Sequence, residues 1–204
     1  MTGGTAQKRA CEVSTLPWRG QDRSGEDLTI REGVPRDAPR FVEHTSALVG
    51  ETDFMLQCPG DSLPDVDFQR QLLAYFNGTD NFLYLVAVRP GGGPGREAIL
   101  GSVALTGGTT ARCRHVVQLG MGVQRLVWGR GIGGLLLEAA VAWCKDNPIV
   151  DRLELQVFAD NPVAMQLYRS RGFVEEGTLK AEALVGDEFH DLVGMGLWTC
   201  SDND

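Results

Sequence analysis

The period of apolar positions changes several times along the chain, and each change marks an element. Leu28-Thr29-Ile30-Arg31-Glu32 alternates apolar and polar residues, as a half-buried strand does. Pro35-Arg36-Asp37 opens a helical stretch that runs to about Leu48. A second helix is predicted from Asp65 to Tyr75, with Phe68, Leu72 and Leu73 on one side. Phe82 to Val88 and Ala98 to Leu105 read as the two strands of a hairpin. Between them Pro90-Gly91-Gly92-Gly93-Pro94-Gly95 cannot form regular structure. A further strand is predicted from Arg114 to Val123. Ile132, Leu135, Leu136, Ala139, Ala140 and Trp143 then recur at helical spacing, one buried stripe that Asn147-Pro148 ends. Leu153, Leu155 and Val157 alternate as a strand. Asn161 can cap the next helix, with Pro162 at its first position and Gly172 closing it. Phe173-Val174 begins another strand, and Phe189 to Trp198 forms the last.

Residues 114–172 thus read strand, glycine-rich loop, helix, strand, helix. A unit of that length makes its two strands parallel neighbours with a right-handed crossover. The hairpin strands before it are antiparallel. The predicted architecture is α/β: a mixed, mostly antiparallel sheet with a central parallel strand pair and helices on both faces. It forms a single domain over residues 27–204. Residues 1–26 carry no apolar period and read as a flexible tail or arm.

A length of 204 residues agrees with one domain, and 43% hydrophobic with 23% charged residues excludes a disordered, collagenous or coiled-coil chain. No apolar run reaches the roughly 18 residues of a membrane span, and the polar start lacks a signal core. Cys11, Cys58, Cys113, Cys144 and Cys200 form no CxxC pair, so neither a disulfide framework nor a metal site is expected, and a cytoplasmic location fits. A net charge of -8 argues against a nucleic-acid binder. Arg112, Arg114, Arg125 and Arg130 nevertheless gather in one stretch. They suit a small polyanion as well as a solvated loop surface.

The glycine loop, Gly129-Arg130-Gly131-Ile132-Gly133-Gly134, lies between a strand and a helix. The unpaired amides and positive dipole of a helix start suit phosphate. A Walker loop is excluded, because Leu135 follows where lysine is needed. A dinucleotide fingerprint matches formally at Gly129, Gly131 and Gly134, with Glu154 twenty residues on. However, Glu154 falls inside its strand, Gln124 to Trp128 separate the preceding strand from the first glycine, and too little chain follows for a second mononucleotide half.

The third reading is a coenzyme A site. Val123 to Gly133, V-Q-R-L-V-W-G-R-G-I-G, resembles motif A of the GCN5-related N-acetyltransferases, [QR]xxGx[GA], with Trp128 where Gln or Arg is expected. Asn161-Pro162-Val163-Ala164-Met165-Gln166-Leu167-Tyr168 with Arg171-Gly172-Phe173 resembles motif B, NxxAxxLYxxxGF. Gly177 and the closing Gly186-Asp187-Glu188-Phe189-His190-Asp191-Leu192 with Met195 extend the likeness, which covers Leu28 to Leu197.

The resemblance implies an acyl-CoA N-acyltransferase fold and direct acetyl transfer from acetyl-CoA to a primary amine in a ternary complex. It implies that two parallel strands splay apart around the thioester arm. The backbone of Met121, Gly122 and Val123 then meets the pantetheine, as does Asn161. Trp128, Gly129, Arg130, Gly131, Ile132, Gly133 and Gly134 are implied to bind the cofactor; Trp128 removes one polar contact, which leaves Arg125 and Arg130 as phosphate partners. Tyr168 protonates the leaving thiolate. The two positions where relatives carry an acid are Gln118 and Gln156. His115 is left as the candidate base, with His190, Glu154, Asp191 or ordered water behind it. The acceptor pocket is expected from the first helices, the loop of residues 49–68 and the Gly186 hairpin. Asp53, Asp61, Asp65 and Asp67 there favour a cationic amine. The expected acceptor is a small molecule such as an amino acid or polyamine. A protein N-terminus, or a non-catalytic acyl-CoA-binding regulator, is the alternative. A homodimer through the apolar last strand, Leu192 to Trp198, stays open.

Overall fold

The computed structural model describes residues 16–89 and 97–199. The glycine-proline turn expected at residues 90–95 lies outside them. The order is β1 (Trp18–Gln21), β2 (Asp27–Glu32), a 3-10 turn (Pro35–Asp37), α1 (Ala38–Glu51), α2 (Val66–Asn77), β3 (Leu83–Arg89), β4 (Ala98–Gly107) and β5 (Val116–Val123). A second 3-10 turn (Arg125–Val127) leads to α3 (Ile132–Asp146), β6 (Arg152–Phe158), α4 (Pro162–Arg169), β7 (Val174–Val185) and β8 (Glu188–Trp198).

The strands form one eight-stranded sheet in the order β1-β2-β3-β4-β5-β6-β8-β7. Among the described residues only β5 and β6 pair in parallel. That order has no doubly wound half, so the dinucleotide reading of the glycine loop has no scaffold. Helices cover both faces. Ile132, Leu136 and Ala140 of α3, with Met165 and Tyr168 of α4, pack on Leu85, Val103, Val117 and Leu155. On the other face Ala38, Phe41 and Leu73 of α1 and α2 meet Val86, Val88 and Ile99. Each fully buried large side chain contributes about 1.5–3 kcal/mol.

Three expectations need correction. Residues 16–26 are not a loose arm: Trp18–Gln21 pairs with Asp27–Ile30 as an edge strand. The turn between them is fixed by buried Asp22, whose carboxylate accepts from the amides of Ser24 and Glu26 and pairs with Arg89. Four residues are too few to show an apolar period. In α2 the buried stripe is Gln69, Leu73 and Phe76, and Phe68 is 56% exposed. Asp65 caps that helix by accepting from Phe68 N–H at 2.8 Å, which fixes its start at Val66. The last strand, β8, lies between β6 and β7, so it presents no free edge to a second copy; Leu192, Val193 and Met195 are core.

Among the described residues no helix is long and apolar enough to cross a membrane, and no group of three His, Cys, Asp or Glu side chains is placed to hold a metal ion.

Candidate active site

β5 and β6 pair over only three positions: Val116 with Arg152, Val117 with Leu153, Gln118 with Glu154. Beyond these the strands part. β5 continues along β4 to Val123, and β6 along β8 to Phe158. In a strand, backbone groups point alternately to either side. Alternate N–H and C=O groups of Leu119–Val123 and Leu155–Phe158 therefore face the gap without a strand partner. A narrow extended ligand that offers amides of its own satisfies them.

One side of the gap is roofed by the first turn of α3 and by α4. A Cβ added to Gly133 would stand 3.5 Å from Leu167, 3.7 Å from Val123 and 3.8 Å from Met121. The opposite side is approached by α1. A Cβ on Gly122 would lie 2.4 Å from the Leu48 side chain, so the bare glycine gives that side chain of α1 its place over the parting strands.

The glycine loop stands at the mouth. Gly129 and Gly131 have φ of +76° and +84°, the left-handed region. The first bond of α3 runs from Leu135 N–H to the Gly131 carbonyl, so the amides of Ile132, Gly133 and Gly134 precede the ladder. These donors and the helix dipole suit an anion. Trp128 is joined to this loop in a way the motif does not show. Its indole N–H donates to the Val123 carbonyl at 2.7 Å, and Arg125 lies over its ring at 5.9 Å. The Val123 carbonyl, expected to meet the pantetheine, thus already accepts one hydrogen bond, from Trp128, and keeps a second lone pair.

The N-terminal turn braces the same loop. Arg23 N–H donates to the Arg130 carbonyl at 2.9 Å, and the Arg23 side chain covers Gly131. Arg130 reaches Ser24 Oγ at 3.4 Å and the Asp22 carboxylate at 3.8 Å. The expected arginine cluster divides. Arg125 and Arg130 stand at the loop, while Arg114 pairs with Asp80 at the far end of β5.

Asn161 caps α4 through its side-chain oxygen, which accepts from Ala164 N–H at 3.1 Å and leaves the amide NH2 as a donor. Tyr168 follows on the same helix and is 7% exposed. Burial pushes its hydroxyl up to about 12, so it holds its proton at neutral pH.

His115 does not belong to this site. It precedes β5, and its carbonyl accepts from the amides of Asp151 and Arg152. Six residues of strand, about 20 Å, separate it from Met121. The expectation of His115 as base is therefore corrected, and the arrangement at the open end is different. Gln118, Glu154 and Gln156 project from the face opposite to buried Val117 and Leu155. Beside them Phe158 packs its ring on Phe54, from the loop after α1, at 5.7 Å, and on His190 at 6.0 Å. His190 Nδ1 lies 2.9 Å from Asp160 Oδ2. Asp191 is turned away and accepts from Lys180 and Ala181. Of the four acidic loop residues, Asp65 caps α2, Asp61 accepts from Cys58 N–H and Asp67 pairs with Arg70. Three of them thus have local structural roles. The sequence reading missed Arg23, Phe54, Phe158 and Asp160. Asp160, directly before the motif B asparagine, was the one of these with a signal in the chain.

Comparison with known proteins agrees with this geometry. The model of the acetyltransferase (GNAT) family matches residues 52–173. L-amino acid N-acetyltransferase AaaT of Escherichia coli (strain K12) is 37% identical over 84 residues, 41% of this chain. The match spans about half of that relative, 52% of its length. An acetyltransferase of the GNAT family from Streptococcus pneumoniae superposes with a TM-score of 0.78 at 32% identity, over 84% of this chain and 98% of that one. A ribosomal-protein-alanine N-acetyltransferase from Brucella melitensis superposes with a TM-score of 0.69 at 27% identity, over 83% and 98%. With a family match over more than half its length, a full-length structural relative and a glycine loop at the mouth of two parting parallel strands, this chain belongs to the GNAT acetyltransferase family.

Proposed function

We propose that this chain is an acetyl-CoA-dependent N-acetyltransferase that acts on the primary amine of a small molecule, an amino acid in the first place. The observation that carries the reading is the parting of β5 and β6 after three paired positions, with the left-handed glycine start of α3 at the opening. The residues present fit acetyl-CoA: loop amides for the phosphates, unpaired strand edges for the pantetheine amides, and the Asn161 NH2 as a further donor. The amino-acid acceptor rests on likeness to AaaT.

Acetyl-CoA supplies the activated acyl group. The protein's part is to orient the reactants and to manage protons. The free backbone amides on the β5 edge suit the developing oxyanion without reorganisation at the moment of reaction. Tyr168, kept neutral by burial, donates its proton to the departing sulfur. The amine arrives from the α1 face, because the glycine loop and α4 occupy the other.

The test is release of CoA thiol from acetyl-CoA against amino acids, polyamines and peptides with free N-termini. Turnover with amino acids supports the reading. Turnover confined to peptides moves it to a protein N-terminal acetyltransferase. Binding of acetyl-CoA without turnover on any amine makes the chain a non-catalytic acyl-CoA binder and overturns it.

A further inference from the structure

The expected carboxylate positions hold Gln118 and Gln156, so the proton of the acceptor ammonium needs another destination. The α1 face of the gap provides one. On β6, Leu153, Leu155 and Val157 point into the core under α3 and α4. Glu154, Gln156 and Phe158 therefore point the other way. On β8, Leu192 pairs with Phe158, and His190, two residues earlier, projects from that same face. The ring contact between His190 and Phe158 agrees with this. Asp160 lies two residues after the end of β6 and directly before the Asn161 cap, so the pair stands where the strands have parted.

We infer that His190, oriented by Asp160, is the general base that deprotonates the acceptor amine. The inference rests on the acetyltransferase reading above. Asp160 is a carboxylate acceptor, so the His190 nitrogen facing it, Nδ1, carries the ring proton. Nε2 is left with its lone pair for the incoming ammonium. The ring is partly open, with a side-chain exposure of 22%, and the edge of Phe158 fixes its plane. Asp160 is the charged group in contact with it. Ala183 is its partner across β7, Glu188 shares its face two residues away, and Asp191 is engaged with Lys180.

His190 Nε2 removes one proton from the ammonium. The freed amine forms a C–N bond to the acetyl carbon as the C–S bond breaks. The sulfur takes the Tyr168 proton, and the second proton of the attacking nitrogen restores the tyrosine hydroxyl. His190 passes its proton to solvent. Phe54 and Phe158 form an apolar wall beside the base. That wall favours an acceptor with an apolar group next to its amine over a polyamine.

Acetyl-CoA affinity and the pH profile of kcat/KM for the best amine are to be measured in the full chain, His190→Gln and Asp160→Asn. The wild type is expected to lose kcat/KM on the acid side with a single protonation. His190→Gln is expected to lower kcat/KM about 10²-fold and to remove that acid limb, with acetyl-CoA affinity unchanged. Asp160→Asn, at an exposed carboxylate, keeps the imidazole and is expected to displace the limb with a loss of about tenfold. Wild-type kcat/KM and an unmoved acid limb in both variants overturn the inference while leaving the enzyme intact. A wild type that binds acetyl-CoA and acetylates nothing overturns the acetyltransferase reading, and this inference with it.

Discussion

Phe173 closes the helix that carries Tyr168, and its ring lies 5.7 Å from the tyrosine ring. Phe173 N–H donates to the Tyr168 carbonyl at 3.2 Å, and Gly172 N–H to the Arg169 carbonyl at 3.1 Å, with Gly172 at φ +91°. This is a Schellman end, whose usual apolar contact joins the residue after the glycine to the one five before it. Here that contact holds the tyrosine proposed as the acid. The spacing of Tyr168, Gly172 and Phe173 is thus a helix stop and a positioning device together.

Replacing Phe173 by alanine removes a core ring (3% exposed) and the contact that orients Tyr168. The expected cost is about 3–5 kcal/mol of stability. In the fraction that stays folded, kcat falls more than acetyl-CoA affinity. Chemical denaturation and steady-state kinetics on the same preparation check both.

Trp128→Phe keeps an aromatic ring at this half-exposed position, though a smaller one, and removes the N–H that donates to the Val123 carbonyl. The loop then loses its tie to β5. Acetyl-CoA binding is expected to weaken about three- to tenfold, consistent with a net hydrogen-bond worth of about 1 kcal/mol, and the fold to stay intact. Titration calorimetry reads this directly.

Gly131 meets two demands, a φ of +84° and the Arg23 side chain, whose Nε would lie 2.9 Å from an added Cβ. Gly131→Ala is expected to cost about 1–2 kcal/mol in backbone strain and to push Arg23 off the loop. Acetyl-CoA affinity is expected to fall at least tenfold. Near-ultraviolet circular dichroism should show an unchanged core.

His44 lies buried on α1, 1% exposed, with Nε2 3.1 Å from Ser102 Oγ and Nδ1 unpaired. Burial pushes its imidazole down to about 4. The unfolded chain binds this proton below about pH 6.5, whereas the folded chain does not until about pH 4. His44 therefore contributes fully above pH 6.5, and that contribution is lost as the pH falls towards 4. The loss reaches about 3 kcal/mol at about 1.4 kcal/mol per unit. Unfolding measured from pH 7 to 4 should show this decline, and His44→Leu should flatten it.

Much of the architecture was legible because it rests on local signals. The α3 stripe from Ile132 to Trp143, the Asn161-Pro162 start and the alternation at Leu153–Val157 place a strand–helix–strand unit without knowledge of the rest. β1 was not legible, since four residues carry no period and its support is the buried Asp22 turn and Arg89, sixty-seven residues away. Phe68 misled because Phe68, Leu72 and Tyr75 repeat at helical spacing beside the buried stripe, in which a polar residue, Gln69, takes a core position. For the site, the glycine loop and Tyr168 stand in contiguous motifs. His115 and His190 are equivalent as letters. Only the sheet order, which puts β8 beside β6, separates one at the closed end of the strand pair from one at the open end.

The proposed mechanism rests most directly on Tyr168 as the acid at the parting strands. The deciding measurement is kcat for the best amine, together with the dissociation constant for acetyl-CoA, in the wild type and in Tyr168→Phe. In Tyr168→Phe kcat is expected to fall at least tenfold, with the dissociation constant unchanged within about twofold. An unchanged kcat in a variant that binds acetyl-CoA normally would contradict it.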